Sequence, residues 1–226
     1  MTRIGNALVV FAAIGLYGCA TVPTVPTPSD SRRAGIGISI TIRAPAAIFT
    51  VSAARIYFVR VEGGPDTYLQ ENLLVSNYAH GGYVYLLDIP PGRYVAVAAG
   101  SPSSATGQRG ESVTVFARDV IKLTDTTVAP GSVTFAGEYV LDTAGGLKAA
   151  DDAQLHYLSL FEPGARTISP IMRSGKFYYA GSLRESKRDP DSQRRFLSKA
   201  LEDLESGGWT AAVRRALEQG AGSPRP

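Results

Sequence analysis

The segment Gly35-Ile36-Gly37-Ile38-Ser39-Ile40-Thr41-Ile42 carries isoleucine at every second position, with small or polar residues between. Successive side chains of a strand point to opposite faces, so this period of two places the isoleucines on one buried face. β-Branched residues also suit a pleated surface better than a helix. The segment is a strand that needs other strands or helices to cover it. Further runs follow at Ala54–Val61, Tyr83–Ile89, Tyr94–Ala99, Ser112–Phe116, Val120–Leu123, Val133–Leu141, Leu155–Phe161 and Lys176–Ala180. Turn chemistry separates them, as in Gly63-Gly64-Pro65-Asp66 and Pro90-Pro91-Gly92-Arg93. Proline presets φ at the start of such turns and glycine accepts positive φ later. No helix-length segment alternates with these runs, which argues against a parallel α/β sheet. The expectation is a mainly β chain, an antiparallel β-sandwich of about seven or more strands.

The tail changes period. Asp189-Pro190 reads as an N-cap followed by proline at the first helical position. Phe196, Leu197, Ala200, Leu201 and Leu204 then recur at helical spacing, and Gly207-Gly208 interrupts them. Trp209, Val213 and Leu217 mark one face of a second helix, closed by Gly220. Two short amphipathic helices cannot stand alone. A C-terminal helical hairpin packed on the sandwich is expected, with a partner-binding element as the second reading.

At the other end, Arg3 precedes an apolar run from Ala7 to Leu16. A bilayer-spanning helix takes about twenty residues, so this run has signal-peptide length instead. It closes on Leu16-Tyr17-Gly18-Cys19, which resembles the lipobox of bacterial lipoproteins. In that family the cysteine thiol takes a diacylglycerol, the chain is cut before it, and the new terminus receives an acyl group such as palmitate. Tyr17 departs from the small residue usual at its position. Cleavage after Ala20, permitted by Gly18-Cys19-Ala20, and retention as an uncleaved anchor are the alternatives. Cys19 is the only cysteine, so an exported chain has no disulfide to make with it, and a thioether consumes an otherwise stray thiol. Ala20 is not aspartate; in a Gram-negative host the resemblance implies an outer-membrane address facing the periplasm.

The expected organisation is a signal over 1–18, the lipidated Cys19 and a Pro/Thr-rich tether over 19–33, a β domain over 34–182 and a helical tail over 183–226. A tether in polyproline geometry would hold the domain up to about 40 Å from the lipid, at roughly 3.1 Å per residue.

Within the β domain, Ala54-Arg55-Ile56-Tyr57-Phe58-Val59-Arg60 opens a strand in the manner of several uncharacterised bacterial lipoprotein domains. The stretch from Leu87 to Val95, with its Pro90-Pro91-Gly92-Arg93-Tyr94 corner, resembles that of transthyretin-like and carboxypeptidase-regulatory-like β-sandwiches. Val128 to Glu138 resembles the strand those lipoproteins place next. The resemblance spans Ala54 to Leu141 and implies a sandwich of about seven strands. It implies no established enzymatic activity.

Chemistry-bearing patterns are sparse. His80 and His156 are the only histidines and neither has a second metal ligand at suggestive spacing. There is no G-x-S-x-G elbow or S-x-x-K pair, and Gly175-Lys176 only superficially suggests a phosphate loop. A hydrolytic reading would have to assemble Glu138, Asp151, Asp152 and His156. A stacking reading would use Tyr78, Tyr83, Tyr85, Tyr94, Tyr139, Tyr157, Tyr178 and Tyr179, although tyrosine is common on half-buried strands. Arg184, Lys187, Arg188, Arg194, Arg195, Arg214 and Arg215 are diluted by the acidic neighbours Glu185, Asp189, Asp191, Glu202 and Asp203, so a solvated helical surface is expected, and a net charge of +3 offers nucleic acid no dense basic block. The expected function is that of a non-enzymatic binding or scaffolding module in the cell envelope. It is held to the membrane by lipid on Cys19, with an envelope protein or peptidoglycan as partner and no metal or cofactor. An envelope hydrolase or a carbohydrate-binding module is the alternative.

Overall fold

The computed structural model describes residues 24–43, 50–64, 67–103, 110–144, 150–168, 172–173 and 175–221. The signal, Cys19 and the Pro65-Asp66 half of one expected turn lie outside them. The chain runs β1 (Ala34–Arg43), β2 (Thr50–Ser52), β3 (Arg55–Arg60), β4 (Leu73–Val75), β5 (Tyr78–His80) and β6 (Tyr83–Ile89). It continues through β7 (Gly92–Ser103), β8 (Gly110–Phe116), α1 (Arg118–Leu123), β9 (Thr126–Val128), β10 (Val133–Ala144) and α2 (Asp152–Phe161). It ends with β11 (Met172–Arg173), β12 (Lys176–Lys187), α3 (Pro190–Asp203), a 3-10 turn (Glu205–Gly207) and α4 (Thr210–Ala221).

The chain is mainly β, but the antiparallel-only sandwich gives way to one mixed, unclosed sheet. Its strand order is β4-β3-β7-β8-β12-β10-β1-β6-β5, and β1/β10 and β8/β12 are parallel pairs. The two edge strands, β4 and β5, are consecutive in the chain. Ser76 bonds to Ile56 of β3 through its backbone N–H and its hydroxyl, while the N–H of Asn77 reaches Tyr85 O of β6. The sheet therefore curls until its edges nearly meet, with Ser76-Asn77 across the seam.

Two expected strands are helices. Leu155–Phe161 belongs to α2, started by a capping box in which Asp151 accepts from Gln154 N and the Gln154 side chain accepts from Asp151 N. Val120–Leu123 belongs to α1, which buries Val120 and Ile121. An apolar run this short has no length to distinguish strand from helix. β12 also runs to Lys187, past the boundary expected at 182.

Helices cover the sheet on two sides. α1 packs on β7 and β12 and α2 on β8, whereas α3 and α4 pack on β10. The isoleucines of β1 face the main core with Ile56, Phe58, Val84 and Val97. The intervening residues are not all solvent-facing: Gly35 and Gly37 are buried as well. Above them lies a second core, where Phe196, Leu197, Ala200, Leu204, Trp209 and Val213 of the tail meet Tyr85, Leu87, Val133 and Phe135 of the sheet. The expected hairpin exists, with Asp189 accepting from Asp191 N and Ser192 N, Pro190 opening α3, and Gly208 left-handed at φ +78°. α4 continues through Gly220 to Ala221.

The expected Pro/Thr-rich tether is, from Val25 onward, docked on the domain. Val25 is buried in the second core, and Trp209 Nε1 donates to Pro26 O at 2.7 Å. Asp88 sits at a register shift between β1 and β6, in the left-handed region at φ +61°. Its carboxylate accepts from both the N–H and the hydroxyl of Ser29.

Candidate functional site

A polar constellation lies between the β5–β6 turn and one stripe of α3. Asp191, Arg194, Arg195, Ser198, Lys199 and Glu202 recur at helical spacing and face Gly81 and Tyr83 across a groove of about 620 Å³. The turn is Gly81-Gly82, both at positive φ. Residue 81 favours glycine through its φ of +59°, and a β-carbon there would also make the Lys199 side chain shift, standing 2.7 Å from its Cε.

Beneath the groove is a buried carboxylate. The side chain of Asp203 is fully covered, and Lys199 Nζ stands 2.8 Å from its Oδ1. Tyr85 donates to its Oδ2 at 2.9 Å, and His80 Nε2 lies 3.9 Å from Oδ1. Burying a carboxylate costs several kcal/mol unless partners replace water. Tyr85 supplies a hydrogen bond and Lys199 the opposing charge, although Oδ1 itself has no hydrogen-bond partner among the described residues. The contact with Asp203, then that with Glu202, raises the Lys199 ammonium above its ordinary value. Burial, then the charge of Asp203, raises the Tyr85 phenol.

At the other end of the groove, Tyr83 donates to Glu138 Oε1 at 2.8 Å, and Arg195 stands 3.2 Å from Glu138 Oε2. Burial and the bond to Glu138 push the Tyr83 phenol up to about 12. Arg194 pairs with Asp191 at 3.2 Å and Lys199 also with Glu202 at 2.9 Å. A protonated lysine is no nucleophile, and a phenol that holds its proton is no general base near neutrality. The arrangement presents paired hydrogen-bond donors and acceptors along the groove.

The structure separates the other residues that the sequence made candidates. Glu138 stands beside the groove, bound to Tyr83 and Arg195 of its wall. Asp151 instead caps α2 and accepts from Arg118 N, and Asp152 pairs with Arg118, which lowers its carboxyl below the usual value. His156 also lies on α2, with Nε2 3.1 Å from Gln70 O. Lys176 begins β12, 3.5 Å from Glu111. Tyr78, Tyr85, Tyr94, Tyr139, Tyr157 and Tyr178 are buried and so make no exposed platform. The basic residues disperse: Arg184 pairs with Asp142, Arg188 donates to Leu123 O and Asp125 O, and Arg215 donates to Gly131 O. Cys19 lies outside the described residues.

Asp203 is the residue that sequence reasoning misplaced, as one acid on a solvated surface. Its spacing carried a signal, because it follows Phe196 by two helical turns and Ala200 by one, on the apolar face. No protein-family model, curated protein or solved structure matches the chain.

Proposed function

We propose that this protein is a non-enzymatic binding or scaffolding module of the cell envelope, anchored through lipid on Cys19. Its groove between the β5–β6 turn and α3 engages another envelope component. The observation that carries the reading is the groove's polar lining: Asp191, Arg194, Arg195, Ser198, Lys199 and Glu202 of α3 face Gly81 and Tyr83, and Glu138 is held between Tyr83 and Arg195. Such groups recognise a partner by hydrogen bonds and charge. The separation of Glu138 from Asp151 and His156 supports the same reading. The N-terminal residues that resemble a lipobox supply the address, at the outer membrane of a Gram-negative cell.

A photo-crosslinking residue at Ser198, in the groove, is expected to trap one discrete envelope component in intact cells. The same residue at Ser159, on α2, is the control. Arg195→Ala is expected to weaken the Ser198 adduct, because it removes a charge from the groove wall. Adducts of equal yield from both positions, or none from Ser198, would overturn the binding role.

A further inference from the structure

The docked N-terminal segment fixes where the anchor leaves the domain. Val25 is 5% exposed, and a β-carbon on Gly207 would stand 2.3 Å from its Cγ1. Farther along, Trp209 holds Pro26, Asp88 holds Ser29, and Gly131 N donates to Arg32 O at 3.2 Å. These attachments lie along the strap, so one broken bond does not release it.

Only Ala20, Thr21, Val22 and Pro23 separate Cys19 from Thr24. Fully extended, the steps from residue 19 to residue 24 span no more than about 18 Å. A free tether would have reached about 40 Å. The exposed residues where the strap meets the joint include Thr24, Thr27, Ser206 and Gly208, small and uncharged, with the carboxylates of Glu205 and, one turn back on α3, Glu202. Such a surface approaches phospholipid headgroups without needing an anionic lipid.

We infer that the joint between α3 and α4, Glu205–Gly208, is the bilayer-facing end of the domain, held there by the docked strap. The partner surface is the headgroup layer of the membrane that carries the acylated Cys19. The inference rests on the lipid-anchor reading above. It also places the groove: its Glu202 end lies beside the joint, and the rest runs away along α3.

Acylation blocks the only native thiol, so Ser206→Cys and Ser159→Cys each add a single labelling site to the lipidated chain. Each is labelled with a fluorophore and reconstituted in phosphatidylcholine vesicles that carry a headgroup-bound quencher. The probe at 206 is expected to be quenched several-fold more than the probe at 159. Equal quenching, or stronger quenching at 159, overturns the orientation. Val25→Asp in the Ser206→Cys chain tests the strap. It is expected to shift the emission of Trp209, the only tryptophan, to the red and to reduce quenching at 206. Unchanged Trp209 emission overturns the docking. Mass spectrometry of the mature N-terminus keeps the two readings apart: an unacylated Cys19 sinks the anchor, whereas an acylated Cys19 with equal quenching sinks only the orientation.

Discussion

Phe196 of α3 lies over Gly37 of β1, so close that a β-carbon at residue 37 would stand 2.2 Å from its Cε2 atom. The ring also stacks on Phe135 at 4.9 Å and meets Tyr83 edge-on at 5.2 Å. The alternation of β1 therefore serves two cores. Isoleucines fill the inner one, and Gly37 between them lets α3 close on the outer face.

Gly37→Ala is expected to destabilise the protein by about 1–3 kcal/mol, because the packed ring has little room to yield. Phe196→Ala alone should cost about 3–5 kcal/mol. In the double variant the glycine substitution should cost little, so the two effects fall short of their sum. Urea unfolding followed by Trp209 emission measures this, and simple additivity would refute the contact.

Gln154 joins a helix start to a parallel strand pair. Its Nε2 donates to Val115 O of β8 at 3.3 Å and to Gly181 O of β12 at 3.2 Å. Gln154→Leu leaves those carbonyls and one α2 cap donor without this partner, at a cost of about 1–3 kcal/mol. Gln154→Glu should do more harm, since a carboxylate cannot donate to either carbonyl. Thermal unfolding should rank Gln154→Glu below Gln154→Leu and both below the native chain. A variant melting with the native chain would contradict the role.

The Asp189 carboxyl is held at about 2 by the hydroxyl and amide of Ser192, with a further amide bond from Asp191. The unfolded chain takes up this proton more readily, with a pKa of about 3.9. The group's stabilisation is thus complete above about 4 and lost as pH falls through about 2. Asp189→Asn keeps a capping acceptor but does not titrate. Its urea midpoint is expected to fall less steeply than the native one between about pH 4 and 2; parallel acid limbs would count against the assignment.

Tyr83, Tyr139 and Tyr178 all reach about 12, chiefly through burial, with Glu138 adding to the first and Glu162 to the last. Their folded pKa values lie above the unfolded value near 10, so the folded state keeps protons that the unfolded chain releases. This stabilisation is present below about pH 10 and is lost as pH rises through about 12. Their phenolate absorbance should therefore appear together with the loss of folded Trp209 emission. Early ionisation of all tyrosines in the still-folded chain would show that these phenols are accessible.

Local pattern alone determined the mainly β character, the core-facing isoleucines of β1 and the start, break and apolar faces of α3 and α4. Each depends on neighbours a few residues apart, through strand period, capping and glycine's tolerance of positive φ. α1 and α2 fell on the ambiguous side of the same rules, because short apolar runs suit either period; the Asp151/Gln154 box was the cue. The tertiary structure decided the rest. Nothing local pairs β1 with β10 in parallel, because Gly35 and Val133 are distant in the chain and meet only in the assembled sheet. The docked strap has the same origin: Val25 and Pro26 look like linker residues until Trp209, 183 positions beyond Pro26, supplies the apolar cover and the N–H donor. The burial of Asp203 likewise depends on Tyr85, 118 positions away. Propensity and period are properties of a segment, whereas burial, pairing and charge compensation arise only between segments that folding has brought together.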